Sequence, residues 1–184
     1  MGRLWMQAVE RAGLSELAER ALSGGGLDAR DVATLRASDV LLVAGLADAV
    51  RERHRGDDVR LLGADQARSQ PELVRLQLDA GRADGPTGQE LLFEIAIARL
   101  ATSGERGIAV SLEQLGLELA QTALAFGADT LIADLSSKRT LPLADGPAAR
   151  REEISGLLLR AGRRVRFGDE ADKDSSSVSL QGAP

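Results

Sequence analysis

Four short features of this 184-residue chain have side chains that could do chemistry. His54 is the only imidazole, set between Arg53 and Arg55. An imidazole can act as general acid–base near neutral pH. At a helix end it can instead sit as a cation near the last carbonyls and complete the helix dipole. Asp129 and Asp134 bracket the run Thr130-Leu131-Ile132-Ala133. Two carboxylates at strand ends could hold a cation or a ligand hydroxyl as a residual ligand pocket, or serve only as cap and loop residues. Ser136-Ser137-Lys138 places hydroxyls beside a lysine, with no third group to orient a nucleophile. Gly24-Gly25-Gly26 precedes a helix and could cradle phosphate. No strand leads into it and no lysine follows, so a hinge is the simpler assignment.

What is missing narrows the chemistry further. The chain has no cysteine. That excludes disulfides, thiolate zinc sites, cysteine-held iron–sulfur clusters and a cysteine nucleophile. A single histidine excludes a His-rich metal site. No catalytic, cofactor-binding or metal-binding residue is therefore assigned, no cofactor is expected, and the chain is expected not to be an enzyme. Net charge is −5, with both signs interspersed and only 2% aromatic residues. Without a basic stripe or stacking platforms, nucleic-acid binding is not expected. The longest apolar run, Val40 to Ala47, falls far short of the ~20 residues that cross a bilayer. No secretory signal pattern is present, so no membrane association and a cytoplasmic location are expected.

The elements that must position these groups can be read from breaks and periodicity. Residues 3–23 read as helix with a break at Gly13, ended by Ser23-Gly24-Gly25-Gly26. Asp28 and Asp31 are spaced as an N-cap and its reciprocal partner for a helix over 29–36. Ser38 or Asp39 caps a longer helix to about Arg53, and Val59–Leu62 is a short strand. Residues 63–70 read as loop, and Pro71 suits the start of a helix over 72–80. Residues 89–102 form a helix that is apolar on two sides, Leu92, Ile95 and Ala96 on one, Phe93, Ile97 and Leu100 on the other. Such a helix is either sandwiched in a core or offers an interaction surface through Phe93, Ile97 and Leu100.

Strands at 107–110 and 130–133 flank a helix with the stripe Leu112, Leu115, Leu119, Ala123 and Phe126, which makes one βαβ unit with parallel strands. A loop over 134–147, a helix over 148–161 and a strand over 164–167 complete the ordered part. The expected organisation is a helical arm (1–57), an α/β domain (58–167) and a disordered tail (168–184). The fold class is α/β, with three or four short parallel strands and flanking helices.

Two stretches carry a family resemblance. One is "LSELAERALSGGGLDARDVATLRASDVLLVAGLADAVRERHRGDDVRLL" (14–62). The other is "TGQELLFEIAIARLATSGERGIAVSLEQLGLELAQTALAFGAD" (87–129), continued by "REEISGLLLRAGRRVRFGD" (151–169). Together they resemble the radical S-adenosylmethionine enzymes of the futalosine route to menaquinone, aminofutalosine synthase and dehypoxanthine futalosine cyclase among them. The resemblance implies a helical arm, the first barrel strand, and then the last strands of a (β/α) barrel.

It also implies a loop of three cysteines after the first strand, holding a [4Fe–4S] cluster that cleaves S-adenosylmethionine. Gly63-Ala64-Asp65-Gln66-Ala67-Arg68 stands there instead, and oxygen ligands do not replace three thiolates. Only 22 residues separate Leu62 from Gly85, less than one ~30-residue βαβ unit. The middle of the barrel is therefore missing, and a minimal, re-closed fragment is expected. The function implied is a non-catalytic homologue that binds, scaffolds or regulates, linked to menaquinone synthesis, with itself or an intact radical enzyme as partner. The alternatives are a module binding a nucleoside-like molecule near Asp129 and Asp134, and an enzyme of new, cluster-independent chemistry.

Overall fold

The computed structural model describes residues 3–76, 85–102, 106–134 and 147–168. Ser136-Ser137-Lys138 and the expected tail from 169 lie outside the described residues. The described chain is α/β. Helices α1 (Arg3–Arg11), α2 (Ser15–Leu22), α3 (Ala29–Arg36) and α4 (Val40–Arg55) lead to β1 (Asp58–Leu62), α5 (Ala64–Arg68) and β2 (Leu73–Arg75). Then come α6 (Gly88–Ala101), β3 (Gly107–Ser111), α7 (Leu112–Ala123), β4 (Thr130–Ile132), α8 (Pro147–Arg160) and β5 (Arg164–Phe167). The five strands form one parallel sheet in the order β2-β3-β4-β1-β5.

The helix starts follow their caps. Asp28 accepts from the Asp31 N–H at 2.8 Å, and the Asp31 carboxylate accepts from the Asp28 N–H at 3.1 Å, which closes the expected capping box. Asp39, not Ser38, caps α4 by accepting from Leu41 and Leu42 N–H groups. Thr87 and Glu90 form a second capping box on α6.

Three expectations are corrected. First, residues 73–75 are a strand, where Pro71 suggested a helix over 72–80. The free edge of β3 decides the matter: Gly107 N–H donates to Glu72 O and Leu76 N–H to Ala109 O, a pairing that three residues cannot announce by periodicity. The sheet thus has five strands rather than three or four. Second, the loop over 63–70 contains the single turn of helix α5. Third, the sheet does not re-close. Among the described residues β2 and β5 each pair on one side only. The helix after β3 is also broken: Gly116 sits at φ 72°, which a non-glycine side chain rarely adopts.

Two cores share α6. On the sheet side Leu91, Leu92 and Ile95 pack with Val59, Leu61, Ile108, Val110 and Leu131 of the strands and with Ile154 and Leu158 of α8. On the other side Ala96, Ile97 and Leu100, with Phe93 beside them, pack on α1, α2 and α4 through Val9, Leu17, Val43, Leu46 and Val50. Each fully buried large aliphatic side chain is worth about 1.5–3 kcal/mol, so this helix is anchored from both sides. Close approach of α1 to α4 depends on Gly45. A Cβ there would lie 2.4 Å from Trp5 Nε1. The opposite face of the sheet has a smaller cluster, Leu62, Leu73 and Ala109, covered by Ala67 of α5.

Candidate functional site

Parallel strands have two chemically different ends, and the sequence-predicted carboxylates fall on opposite ones. Asp129 immediately precedes β4, at the amino ends of the strands, and Asp134 follows it at the carboxyl ends. Five extended residues span about 16 Å. The two do not share a pocket.

Asp129 is 1% exposed, and its carboxylate accepts three hydrogen bonds and lies within ion-pair distance of a second arginine. Oδ1 accepts from the Ile108 N–H at 3.1 Å and from the Thr130 hydroxyl at 2.8 Å. Oδ2 lies 2.6 Å from Arg99 Nη2 and 3.4 Å from Arg55 Nε. Arg99, itself 0% exposed, also donates to Gly127 O and Arg106 O, each at 2.8 Å. Burial pushes the Arg99 guanidinium below its ordinary range. Asp129 pulls it back, and the like charges of Arg55 and Arg51 push it further down. Gly127 permits this packing. Its φ is 96°, and a Cβ would sit 2.8 Å from Arg99 Cγ.

The assembly ties α6, α4 and the starts of β3 and β4 together. It is a structural staple whose two carboxylate oxygens are both hydrogen-bonded within the fold and buried. Its sequence signal was a lone arginine inside the otherwise apolar run Ile95-Ala96-Ile97-Ala98-Arg99-Leu100. A second buried arginine, Arg51, donates to Asp48 at 2.8 Å and to Gly56 O at 2.5 Å, and Arg163 joins Asp48 from the far end of the chain.

Of the expected interaction residues, Ile97 and Leu100 lie inside, and Phe93 is half-buried against the same cluster. Ile97 and Leu100 are 4% and 3% exposed, and the chain's own amino-terminal helices cover them. Ala96 belongs with them rather than with Leu92 and Ile95. The apolar second side of α6 is thus core, not a presented surface. His54 is exposed in the last turn of α4, where its position suits the helix dipole. Gly24, at φ 80°, closes α2. Among the described residues no three His, Cys, Asp or Glu side chains converge as a metal site. No described helix is long and apolar enough to cross a membrane.

Two clefts lie at the carboxyl ends of the strands, and another of about 260 Å³ lies between α1 and α2, lined by Met6, Val9, Ala18 and Leu22. One cleft of about 220 Å³ is bordered by Gly63, Asp65 and Gln66 after β1, by Ala133 and Asp134 after β4, and by Arg151 of α8. Arg151 lies over the Phe167 ring at 5.3 Å from its centroid. A neighbouring cleft of about 380 Å³ is lined by Arg75, Leu76, Ala109, Ser111, Gln114 and Ile132. Glu113 links the ends of β3 and β4, one oxygen accepting from the Ser111 hydroxyl and the other from the Asp134 N–H. The chain leaves β1 for the far edge at β2, steps back through β3 and β4, and crosses β1 to reach β5. The first cleft lies between the ends of the adjacent strands β1 and β4, and the second at the ends of β2, β3 and β4. In open α/β sheets, ligands bind outside the carboxyl ends of the strands.

Comparison with protein-family models, with curated proteins and with solved structures gives no match.

Proposed function

We propose that this chain is a cluster-free relative of the radical S-adenosylmethionine enzymes of menaquinone synthesis, and that it works by binding a small molecule rather than by catalysis. One observation carries the binding half: the open space of the sheet lies at the strands' carboxyl ends, in two adjoining clefts that bring together arginine, carboxylate, hydroxyl and amide groups. The resemblance of residues 14–62, 87–129 and 151–169 supports the kinship, and a chain without cysteine offers no thiolate to a [4Fe–4S] cluster.

In this proposal the amino-terminal helices are the family's arm and the sheet is what is left of its barrel. A closed barrel pairs its first strand with its last, so in this proposal the β1–β4 pairing is retained and β5 lies on the side of β1 that the lost second strand left open. The residual pocket moves from Asp129 to the Asp134 end of β4. Scaffolding of itself or an intact relative no longer has Ile97 and Leu100 to offer, so small-molecule binding takes precedence.

The experiment is a thermal-shift screen of the purified chain with adenosine, S-adenosylmethionine, futalosine-like nucleosides and small acids. A ligand at 100 times its Kd adds about 2.7 kcal/mol, a rise of several degrees. Loss of that rise in Asp134→Ala or Arg75→Gln places the ligand at the carboxyl ends. A flat response across the panel refutes small-molecule binding. Capture of an intact radical enzyme from native lysate, with no ligand response, would return scaffolding to first place.

A further inference from the structure

We propose that the cleft at the carboxyl ends of β2, β3 and β4 takes a small acid, whose carboxylate or phosphate head pairs with the guanidinium of Arg75. This deepens the binding function proposed above and rests on it. Arg75 ends β2 and is exposed at the cleft. Among the described residues its guanidinium forms no hydrogen bond or ion pair, whereas Arg60, Arg99, Arg164 and Arg166, in or beside the same sheet, each reach a carboxylate.

Glu113, beside the cleft-lining Ser111 and Gln114, accepts from the Ser111 hydroxyl and the Asp134 N–H, which fix where its carboxylate sits. A planar guanidinium fork matches two oxygens of a carboxylate or phosphate. The Ser111 O–H donates a hydrogen bond to Glu113, so its oxygen offers lone pairs to a ligand O–H or N–H. Gln114, exposed at the rim, supplies both a donor and an acceptor. Leu76, Ala109 and Ile132 give the cleft an apolar side. The complementary ligand is a compact acid with a neighbouring hydroxyl or amide and a short hydrocarbon part. At about 380 Å³ the cleft is near the small end of ligand pockets, too small for a dinucleotide.

Amide-resolved NMR titration of the full chain tests this with three probes: 2-hydroxy-4-methylpentanoate, its uncharged carboxamide, and inorganic phosphate. The hydroxy acid should shift the Ala109, Ser111, Gln114 and Ile132 signals, and the carboxamide at the same concentration should not. Arg75→Gln should weaken the acid at least tenfold with an unchanged melting curve, and Gln114→Ala several-fold. Phosphate shifting the same signals, and losing the effect in Arg75→Gln, supports a phosphate head. A response to the hydroxy acid alone supports a carboxylate.

Equal binding by Arg75→Gln, equal binding of the carboxamide, or shifts confined to other residues overturns the proposal. So does silence from both acids. Should both acids be silent while a nucleoside still raises the melting temperature, the ligand class falls and the binding function stands. If nothing in either experiment binds, both fall.

Discussion

Replacing Asp129 by Asn separates a structural carboxylate from a ligand-binding one. The amide keeps the shape and can still accept from the Ile108 N–H and the Thr130 hydroxyl through one oxygen. It removes the only negative charge hydrogen-bonded to Arg99, which is 0% exposed and already has Arg55 and Arg51 pressing like charge toward it. Breaking a buried pair by removing one partner costs about 3–5 kcal/mol, because the surviving charge cannot be rehydrated. Domains of this size have a total stability of about 5–15 kcal/mol, and each kcal/mol shifts their melting temperature by about 2–4 °C. The Asp129→Asn chain should therefore melt about 6–20 °C lower.

Urea unfolding followed by circular dichroism measures the loss directly. Added salt should leave it nearly unchanged, since a buried pair is little screened. The double variant Arg99→Met/Asp129→Leu removes both charges and should recover most of the loss, giving a coupling energy above about 2 kcal/mol. A loss below about 1 kcal/mol in Asp129→Asn, or strict additivity in the double variant, refutes the staple.

Gly45→Ala should displace Trp5, cost about 1–3 kcal/mol as overpacking, and change the emission of the chain's single tryptophan; an unaltered spectrum would show that α1 does not seat where described. Ile97→Ala should cost about 2–5 kcal/mol with no change of mass by light scattering, whereas a change of oligomeric state at wild-type stability would mean the residue faces a partner after all. Hydrogen bonds from Thr87 hold Glu90 below the ordinary glutamate range, and Arg36 holds Glu94 there. A depressed folded-state value gives stability that is full above the unfolded value near pH 4.3 and is lost as pH falls below it, so acid melts should show a slope below about pH 4 that Glu90→Gln/Glu94→Gln makes shallower.

Most of the architecture was legible because its signals are local. The Asp28–Asp31 box, the α6 pattern and the βαβ unit over 107–132 each follow from spacing within one window. Strand β2 was not legible, since three residues carry no period and the hydrogen bonds that make it a strand come from β3, about 35 positions away. The role of Asp129 was hidden for the same reason: its partner Arg99 lies 30 residues earlier. Phe93, Ile97 and Leu100 were correctly marked as apolar, but hydrophobicity does not say whether the cover comes from the same molecule. Arg75 drew no notice because the expected helix placed it nowhere near Ser111 or Ile132.

Because α6 belongs to both apolar clusters, residues 1–57 cannot be removed as a dispensable extension. A chain starting at 58 would bare Ala96, Ile97 and Leu100 to water beside a sheet with two unpaired borders. Such a fragment should precipitate rather than fold. In the whole chain the helical layer and the sheet should melt in a single calorimetric step, each depending on the shared helix for its integrity.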